Sequence, residues 1–429
     1  MYGEQKLLHT IMKPQNLFIL FCLAFLSVNT YAAKFNCVLR GTVVGRTSKA
    51  IILKKASADP RSAMQVEIPI VGNQFEYTMV SDDADAWQLI FEEELPVAFK
   101  PVIFFADTSL INFILFPMNE AEEKNKIIGG ALNREYYSRF AALSGRFKTR
   151  YLAMRDLRNE LIKKKEYYTS GYDSLSMLIQ RTGSTAQQQI LSRKIKKLME
   201  TGNHLTPIGK KNQTEEERII DEMFDFRYDY IIKNPGPVAY QLICEDIQPS
   251  SERPYLLNLI QRAYKAFADS KTNKIYAQNI AIRIAGKQLR PGKPFIDFTA
   301  QSMDGKAYKF SRLLNNKITV LDLWASWCGP CIAKSRQIIP VYNEFKEKGL
   351  QVIGIAREFK DLENLKTALK REKYPWLNLA DLEGRNGIWD KYGLSYSGGG
   401  IFLFDQKGNI LAINPTPQEL RNALISVIK

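Results

Sequence analysis

Histidine is scarce in this 429-residue sequence, which contains only His9 and His204. A mechanism built on a histidine base, or a metal site made of several histidines, therefore has almost no candidate residues. Cysteine is also rare, with five in the chain. From this inventory we expect neither a bound metal ion nor another cofactor.

Long apolar runs are almost absent, and the single one, residues 17–28, has the features of a secretion signal. Lys13 precedes it, and the small residues Ala32 and Ala33 follow it. Its twelve residues, at about 1.5 Å each in a helix, are too few to cross a hydrocarbon core of about 30 Å. We therefore predict that residues 1–33 are a cleaved signal peptide and that the mature protein acts in the periplasm or cell envelope, where thiols can be oxidised.

Basic residues outnumber acidic ones, with 60 Lys and Arg against 45 Asp and Glu. They are dispersed through segments with helical spacing that also contain Glu or Gln, which is typical of solvated helix faces. We therefore predict no nucleic-acid partner. With 45% apolar residues, the composition also excludes a disordered chain.

The pattern of apolar residues changes twice along the mature chain and predicts three domains. Residues 34–125 contain short runs rich in Val, Ile, Phe and Tyr between polar turns, which predicts a small antiparallel sandwich or barrel. Residues 126–285 carry apolar residues at three- and four-residue spacing, which predicts a mainly helical region. Its predicted helices include 184–200, 214–233 and 253–284.

Residues 286–429 alternate strand and helix patterns, which predicts a compact α/β domain. The predicted strands are 318–325, 349–356, 401–405 and 409–413, and the predicted helices are 331–348, 361–372, 384–392 and a final one that begins after Thr416.

The motif that carries chemistry is Trp327-Cys328-Gly329-Pro330-Cys331, at the predicted junction of a buried strand and a helix. Two residues between the cysteines let both sulfurs meet in one turn at a helix N-terminus, where unpaired N–H groups and the helix dipole favour a thiolate. We expect Cys328 to be the more exposed sulfur and the nucleophile, and Cys331 to be the resolving thiol. Pro330 falls in the first turn, where its missing N–H costs no hydrogen bond.

Asp322 lies six residues before Cys328, in the otherwise apolar strand segment LDLW. Burial of an unpaired carboxyl group raises its pKa. We therefore expect Asp322 to accept the proton of Cys331 when that thiol attacks.

There are three alternatives to a reactive dithiol at this motif: a zinc site, a permanent structural disulfide and a peroxidatic cysteine. Zinc would need two more ligands, and the remaining cysteines and His204 are distant in sequence. A disulfide at a helix start is more often reactive than structural. A peroxidatic cysteine would need Thr or Ser three residues before it and Pro seven residues before it, and those positions are Ala325 and Leu321. We therefore favour a reactive dithiol.

The segment LDLWASWCGPC resembles the active-site segment of the thioredoxin superfamily, and FIDFTAQSMDGKAYKF and VIGIARE resemble exported thiol–disulfide oxidoreductases of the TlpA/ResA type. The resemblance covers residues 286–429 and implies a thioredoxin fold. It also implies that Cys328 attacks, Cys331 resolves, Asp322 is the buried acid and Trp327 flanks the site. Residues 34–125 are similar to a small all-β domain of unknown function that often precedes such reductases, chiefly at Gly41 and the GNQFEY turn.

One position departs from the thioredoxin pattern. That family carries a cis-proline that faces the dithiol and helps to hold the substrate backbone. The matching residue is Gly399, in a run of three glycines. Glycine permits the required backbone conformation without enforcing it, so we expect Gly399 to mark the substrate loop.

The resemblance implies an enzyme that reduces protein disulfides and receives electrons from a membrane-bound donor. The alternative is a client-binding envelope protein in which the thioredoxin-like domain is secondary or redox-inactive. We expect Cys37 and Cys244 to be unpaired buried residues rather than a bridge between domains.

Overall fold

The computed structural model describes residues 34–59, 61–81, 84–94, 101–394, 396 and 398–427. The predicted signal peptide, residues 1–33, lies outside these residues. None of the helices in the described ranges combines the length and apolar character that crossing a membrane requires.

The N-terminal part consists of two four-stranded sheets in the orders β4-β1-β7-β8 and β3-β2-β5-β6. Buried side chains from both sheets form one core between them, as in a sandwich. The elements are β1 (Phe35–Val43), β2 (Ala50–Lys55), β3 (Val66–Pro69), β4 (Gln74–Ser81), β5 (Ala86–Phe91), β6 (Val102–Phe105), β7 (Leu110–Leu115), the short helix α1 (Met118–Lys124) and β8 (Lys126–Ile128).

Two features of these sheets differ from the sequence prediction. β1 and β7 are parallel, because the chain passes through the second sheet before it returns beside β1, whereas we expected an antiparallel arrangement. β8 pairs with β7, so the sheet extends to Ile128 and beyond the predicted limit at residue 125.

The middle of the chain is helical, and its core also contains Phe105 from β6 and Ala86 from β5. The β domain and the helices therefore share buried contacts. The helices are α2 (Ala131–Lys163), α3 (Ser170–Arg181), α4 (Thr185–Glu200), α5 (Pro207–Lys233), α6 (Pro237–Asp246), α7 (Pro254–Asp269) and α8 (Lys274–Lys287).

Polar side chains at the helix ends explain where these helices depart from the predicted ranges. α5 begins at Pro207 rather than 214, because the Thr206 hydroxyl accepts the N–H of Gly209 (3.1 Å) and proline fits the first turn. The predicted helix 253–284 is two helices. Between them, the Asn273 amide donates to the carbonyl of Pro235 (2.9 Å) and to the hydroxyl of Ser270 (3.0 Å), which fixes a turn.

The C-terminal domain is a seven-stranded sheet in the order β10-β9-β13-β12-β11-β14-β15, with helices on both faces. β11, β12 and β13 are parallel, and β14 runs antiparallel to β11. The elements are β9 (Thr299–Gln301), β10 (Ala307–Lys309), β11 (Ile318–Trp324), α9 (Gly329–Phe345), β12 (Leu350–Glu358), α10 (Glu363–Glu372), β13 (Leu377–Leu382), α11 (Ile388–Lys391), β14 (Gly400–Asp405), β15 (Ile410–Ile413) and α12 (Pro417–Val427).

The central strand β11 is buried along its whole length and determines where Asp322 lies. Its side chains alternate between the two faces of the sheet: Val320 and Trp324 pack with α9, whereas Leu321 and Leu323 pack on the opposite face. By this alternation Asp322 lies on the α9 face, beneath the helix that carries the cysteines.

Candidate active site

The turn from β11 to α9 places Cys328 at the start of the helix. The N–H of Cys328 donates to the carbonyl of Ala325 (3.1 Å), and α9 then begins at Gly329 with Pro330 in its first turn. The sulfur of Cys328 caps this helix by accepting the N–H of Cys331 at 3.3 Å. An unpaired helical N–H that points at sulfur, together with the positive end of the helix dipole, stabilises a thiolate at this position.

Cys328 and Cys331 form a disulfide, with 5.2 Å between their Cα atoms. In this oxidised form both residues are buried, with 4% of Cys328 and 7% of Cys331 exposed. Exposure therefore does not single out Cys328 in this form. What distinguishes Cys328 is the N–H that its sulfur accepts.

Asp322 is buried directly beneath this turn, with 1% exposed. The Ser335 hydroxyl donates to Oδ2 of Asp322 at 2.6 Å and also contacts the carbonyl of Cys331 at 3.1 Å. Burial raises the pKa of Asp322 to about 7, although the Ser335 hydrogen bond and the charge of Lys334 act in the opposite direction. A carboxyl group with this pKa exchanges protons readily near neutral pH.

Asp322 and both cysteines line one cavity of about 100 Å³, together with Lys334 and the glycine loop. This volume accommodates water molecules. The cavity therefore brings Asp322 and Cys331 to one enclosed space.

Gly399 packs against the dithiol, at the position where thioredoxins carry proline. A Cβ atom built on Gly399 would lie 1.9 Å from the carbonyl oxygen of Leu323 and 3.1 Å from the sulfur of Cys331. The indole N–H of Trp389 donates to the carbonyl of Gly398 at 2.7 Å and fixes the neighbouring backbone. All peptide bonds within the described residues are trans. The close approach of this loop to Leu323 and Cys331 therefore depends on the absence of a Cβ atom at Gly399 and not on a cis-proline.

Trp327 covers the side of the turn. Its indole N–H donates to the carbonyl of Arg357 in β12 at 3.2 Å. The guanidinium carbon of Arg61, from the N-terminal domain, lies 3.9 Å from the centre of the indole ring. The preceding residue, Ser326, is held through its N–H (2.8 Å) and hydroxyl (2.7 Å) by the Glu358 carboxylate.

Sequence reasoning missed several of these residues. Ser335 follows Cys331 by four residues and so lies on the same face of α9, a spacing that could have identified it. Glu358, in the quoted segment VIGIARE, is a charged residue within a buried strand and was a weaker signal. Arg61 lies more than two hundred residues from the motif in another domain, and no local pattern connects the two.

Cys37 and Cys244 are both free thiols, as predicted, but only Cys37 is buried, and Cys244 is partly exposed. Cys37 is fully buried in the core of the β sandwich, where burial raises its pKa to about 11. Burial also raises the pKa of Cys244, in α6. Within the described ranges, no three Cys, His, Asp or Glu side chains form a cluster suited to a metal ion.

Comparison with known proteins gives matches to the C-terminal domain. Residues 291–413 match the model of the AhpC/TSA family. The resemblance of the C-terminal domain to thioredoxin-like proteins is thereby confirmed. A thiol:disulfide interchange protein DsbE from Tatumella citrea is 31% identical over 127 residues, which are 28% of this chain and 62% of that protein.

A thiol-disulfide oxidoreductase ResA from Oceanobacillus iheyensis is 35% identical over 49 residues, which are 11% of this chain and 26% of that protein. The chain thus covers less than two thirds of the length of either curated relative. Among solved structures, the thioredoxin domain of a thiol-disulfide oxidoreductase from Bacteroides vulgatus aligns with 33% of this chain and 100% of that domain, at 22% identity and a TM-score of 0.30.

Proposed function

We propose that this protein is an exported thiol–disulfide oxidoreductase that reduces protein disulfides through a dithiol–disulfide cycle of Cys328 and Cys331. One observation carries the proposal: the Cys328 sulfur caps a helix N-terminus, within disulfide distance of Cys331 and above a buried acid. The redox activity in the names of the relatives supports the same reaction class.

The reaction begins with the reduced dithiol. The Cys328 thiolate attacks one sulfur of a client disulfide, which forms a mixed disulfide and releases the other client sulfur as a thiolate. The Cys331 thiol loses its proton to Asp322 and attacks the Cys328 sulfur. The second client sulfur then leaves as a thiolate. The client gains two electrons, and the enzyme ends as the Cys328–Cys331 disulfide seen in the structure.

A new cycle requires two electrons from outside this domain. We propose a membrane-bound dithiol donor, because an exported protein is separated from cytoplasmic reductants. The Gly-Pro pair between the cysteines favours the reducing direction, and we expect a potential near that of thioredoxin, about −270 mV. Equilibration with dithiothreitol or glutathione buffers measures this potential.

A peroxidase reaction is disfavoured by the residues around Cys328. The positions where peroxidatic sites carry a hydroxyl residue and a proline hold Ala325 and Leu321. Both are buried apolar residues, with at most 1% exposed, and they offer no hydroxyl group to a peroxide.

Insulin reduction by dithiothreitol tests the proposed activity. The wild-type protein should accelerate it, and Cys328→Ser should reduce the rate to that of dithiothreitol alone. Cys244→Ser, which removes a thiol distant from the motif in sequence, should retain the wild-type rate. Full turnover by Cys328→Ser would overturn the proposal and leave the alternative of a client-binding protein.

Export is a separate part of the proposal, supported by the apolar run at residues 17–28 and the small residues after it. Mass spectrometry of protein from an envelope fraction should give a mature chain that begins at Ala33 or Lys34. A chain that keeps its first 32 residues, or is found only in the cytoplasm, would contradict export.

A further inference from the structure

The loop between β2 and β3 of the N-terminal domain lies against the active-site tryptophan. Arg61 in this loop stacks on the Trp327 ring, with 3.9 Å from the guanidinium carbon to the ring centre. Its Nη1 atom donates to the carbonyl of Tyr396 at 3.1 Å. Tyr396 lies close in sequence to Gly399, so Arg61 contacts the segments on two sides of the dithiol.

Hydrogen bonds to the C-terminal domain fix the loop in this place. Glu383, directly after β13, accepts the Ser62 hydroxyl (2.6 Å) and the N–H of Ala63 (3.2 Å). The Tyr396 hydroxyl donates to the carbonyl of Ser57 at 3.2 Å. The loop is therefore held on both sides of Arg61.

A buried ion pair adds to this interface. Asp59 lies 3.5 Å from Nη2 of Arg357, and the two side chains are 2% and 7% exposed. The other oxygen of Asp59 accepts the Arg61 backbone N–H (2.8 Å) and lies 3.3 Å from its guanidinium group. Asp59 is therefore shared between Arg357 and Arg61, and among the described residues Arg61 has no carboxylate of its own.

Arg61 remains accessible at this position, with 40% of its side chain exposed. Its planar guanidinium group is held by an aromatic ring and a carboxylate, so binding a second carboxylate would cost little further ordering. Lys334, on the first turns of α9, adds another positive charge at the cavity that the cysteines line.

We propose that Arg61 determines client specificity: through it, the N-terminal domain selects disulfides that have an acidic side chain beside the cysteine. This inference rests on the proposed oxidoreductase function. It gives the β domain a direct part in substrate choice, because the loop that carries Arg61 brings this domain to the surface around the dithiol.

Two synthetic disulfide peptides test the proposal, identical except for Glu or Gln on both sides of one cysteine. The wild-type protein should reduce the Glu peptide with about threefold higher kcat/KM, mainly through a lower KM, since an ion pair with a partly exposed arginine contributes only modestly to binding. Arg61→Gln should bring the ratio of the two kcat/KM values close to one. Arg61→Lys should keep part of the preference.

Arg40→Gln is the matched control, because Arg40 is an exposed arginine of the same domain that pairs with Glu76. It should keep the wild-type ratio. The preference should also weaken as ionic strength rises. Equal kcat/KM for both peptides in the wild type, or an unchanged ratio in Arg61→Gln, would overturn the specificity proposal.

The same assay separates this proposal from the proposed function. If Cys328→Ser still reduces the peptides, or the wild type reduces neither, the oxidoreductase function fails. If reduction depends on Cys328 but both peptides react equally, only the role of Arg61 fails.

Discussion

Replacing Asp322 with asparagine should change how the stability of the oxidised protein depends on pH. The folded carboxyl group has a pKa of about 7, whereas its ordinary value is 3.8. Between these values the folded state holds a proton that the unfolded state has lost, so the free energy of unfolding falls as pH rises. At 1.36 kcal/mol per pKa unit, the Asp322 carboxyl group lowers the free energy of unfolding by about 4 kcal/mol above pH 7.

The asparagine side chain of the Asp322→Asn variant does not titrate, and its amide oxygen can still accept the Ser335 hydroxyl. The free energy of unfolding of Asp322→Asn minus that of the wild type should therefore rise by about 4 kcal/mol between pH 4 and pH 8. Urea unfolding followed by tryptophan fluorescence reports on the correct domain, because four of the five tryptophans lie in residues 286–429.

The exposed carboxylate of Asp229 provides the control, since its pair with Lys233 lies at the surface. The difference between Asp229→Asn and the wild type should stay within about 0.5 kcal/mol across the same pH range. A difference for Asp322→Asn that does not change with pH would refute the raised pKa, and with it the role of Asp322 as the proton acceptor.

Two further predictions concern close packing. Gly399→Ala should destabilise the C-terminal domain by about 1–3 kcal/mol in thermal or urea unfolding, because the new Cβ would overlap the carbonyl oxygen of Leu323. The control is Gly145→Ala in α2, where no atom lies near the added Cβ, and this variant should be as stable as the wild type or more stable. Equal stability of Gly399→Ala and the wild type would contradict this packing. Cys37 should resist iodoacetamide at pH 8 in the folded protein, because it is fully buried with a pKa of about 11; rapid alkylation found by peptide mass mapping would contradict its burial.

The strands of the β domain were predictable because runs of Val, Ile and Phe separated by polar turns have few other structures available to them. The parallel pairing of β1 with β7 was not, since it depends on the path of the whole chain between them. In the C-terminal domain β11, α9 and β14 lie close to their predicted ranges. β9 and β10 were missed because each has three residues with mostly exposed side chains.

Two further differences from the predicted elements have local causes. The strand β13 was not predicted, because its polar residues Asn378 and Asp381 interrupt the apolar pattern of a buried strand. Asp381 is nevertheless buried, and it accepts the N–H of Asn386 at 3.0 Å. The predicted helix 384–392 shortens to α11 because Gly384 and Gly387 adopt left-handed conformations that form a turn.

In the candidate site, the parts that adjacent residues determine were predictable, and the contact between domains was not. The helix start, the cysteine pair and the buried acid follow from adjacent residues, so their placement could be predicted. The Arg61 loop depends on how two domains pack, and sequence spacing carries no information about that contact.

Trapping of the mixed disulfide tests the central claim most directly. Reduced Cys331→Ser protein retains the Cys328 thiolate and lacks the resolving thiol, so mixing it with a disulfide peptide should give a one-to-one covalent adduct. Mass mapping should place the peptide on Cys328, and dithiothreitol should release it. Absence of an adduct on Cys328 in the folded protein, or an adduct only on Cys37 or Cys244, would contradict the account.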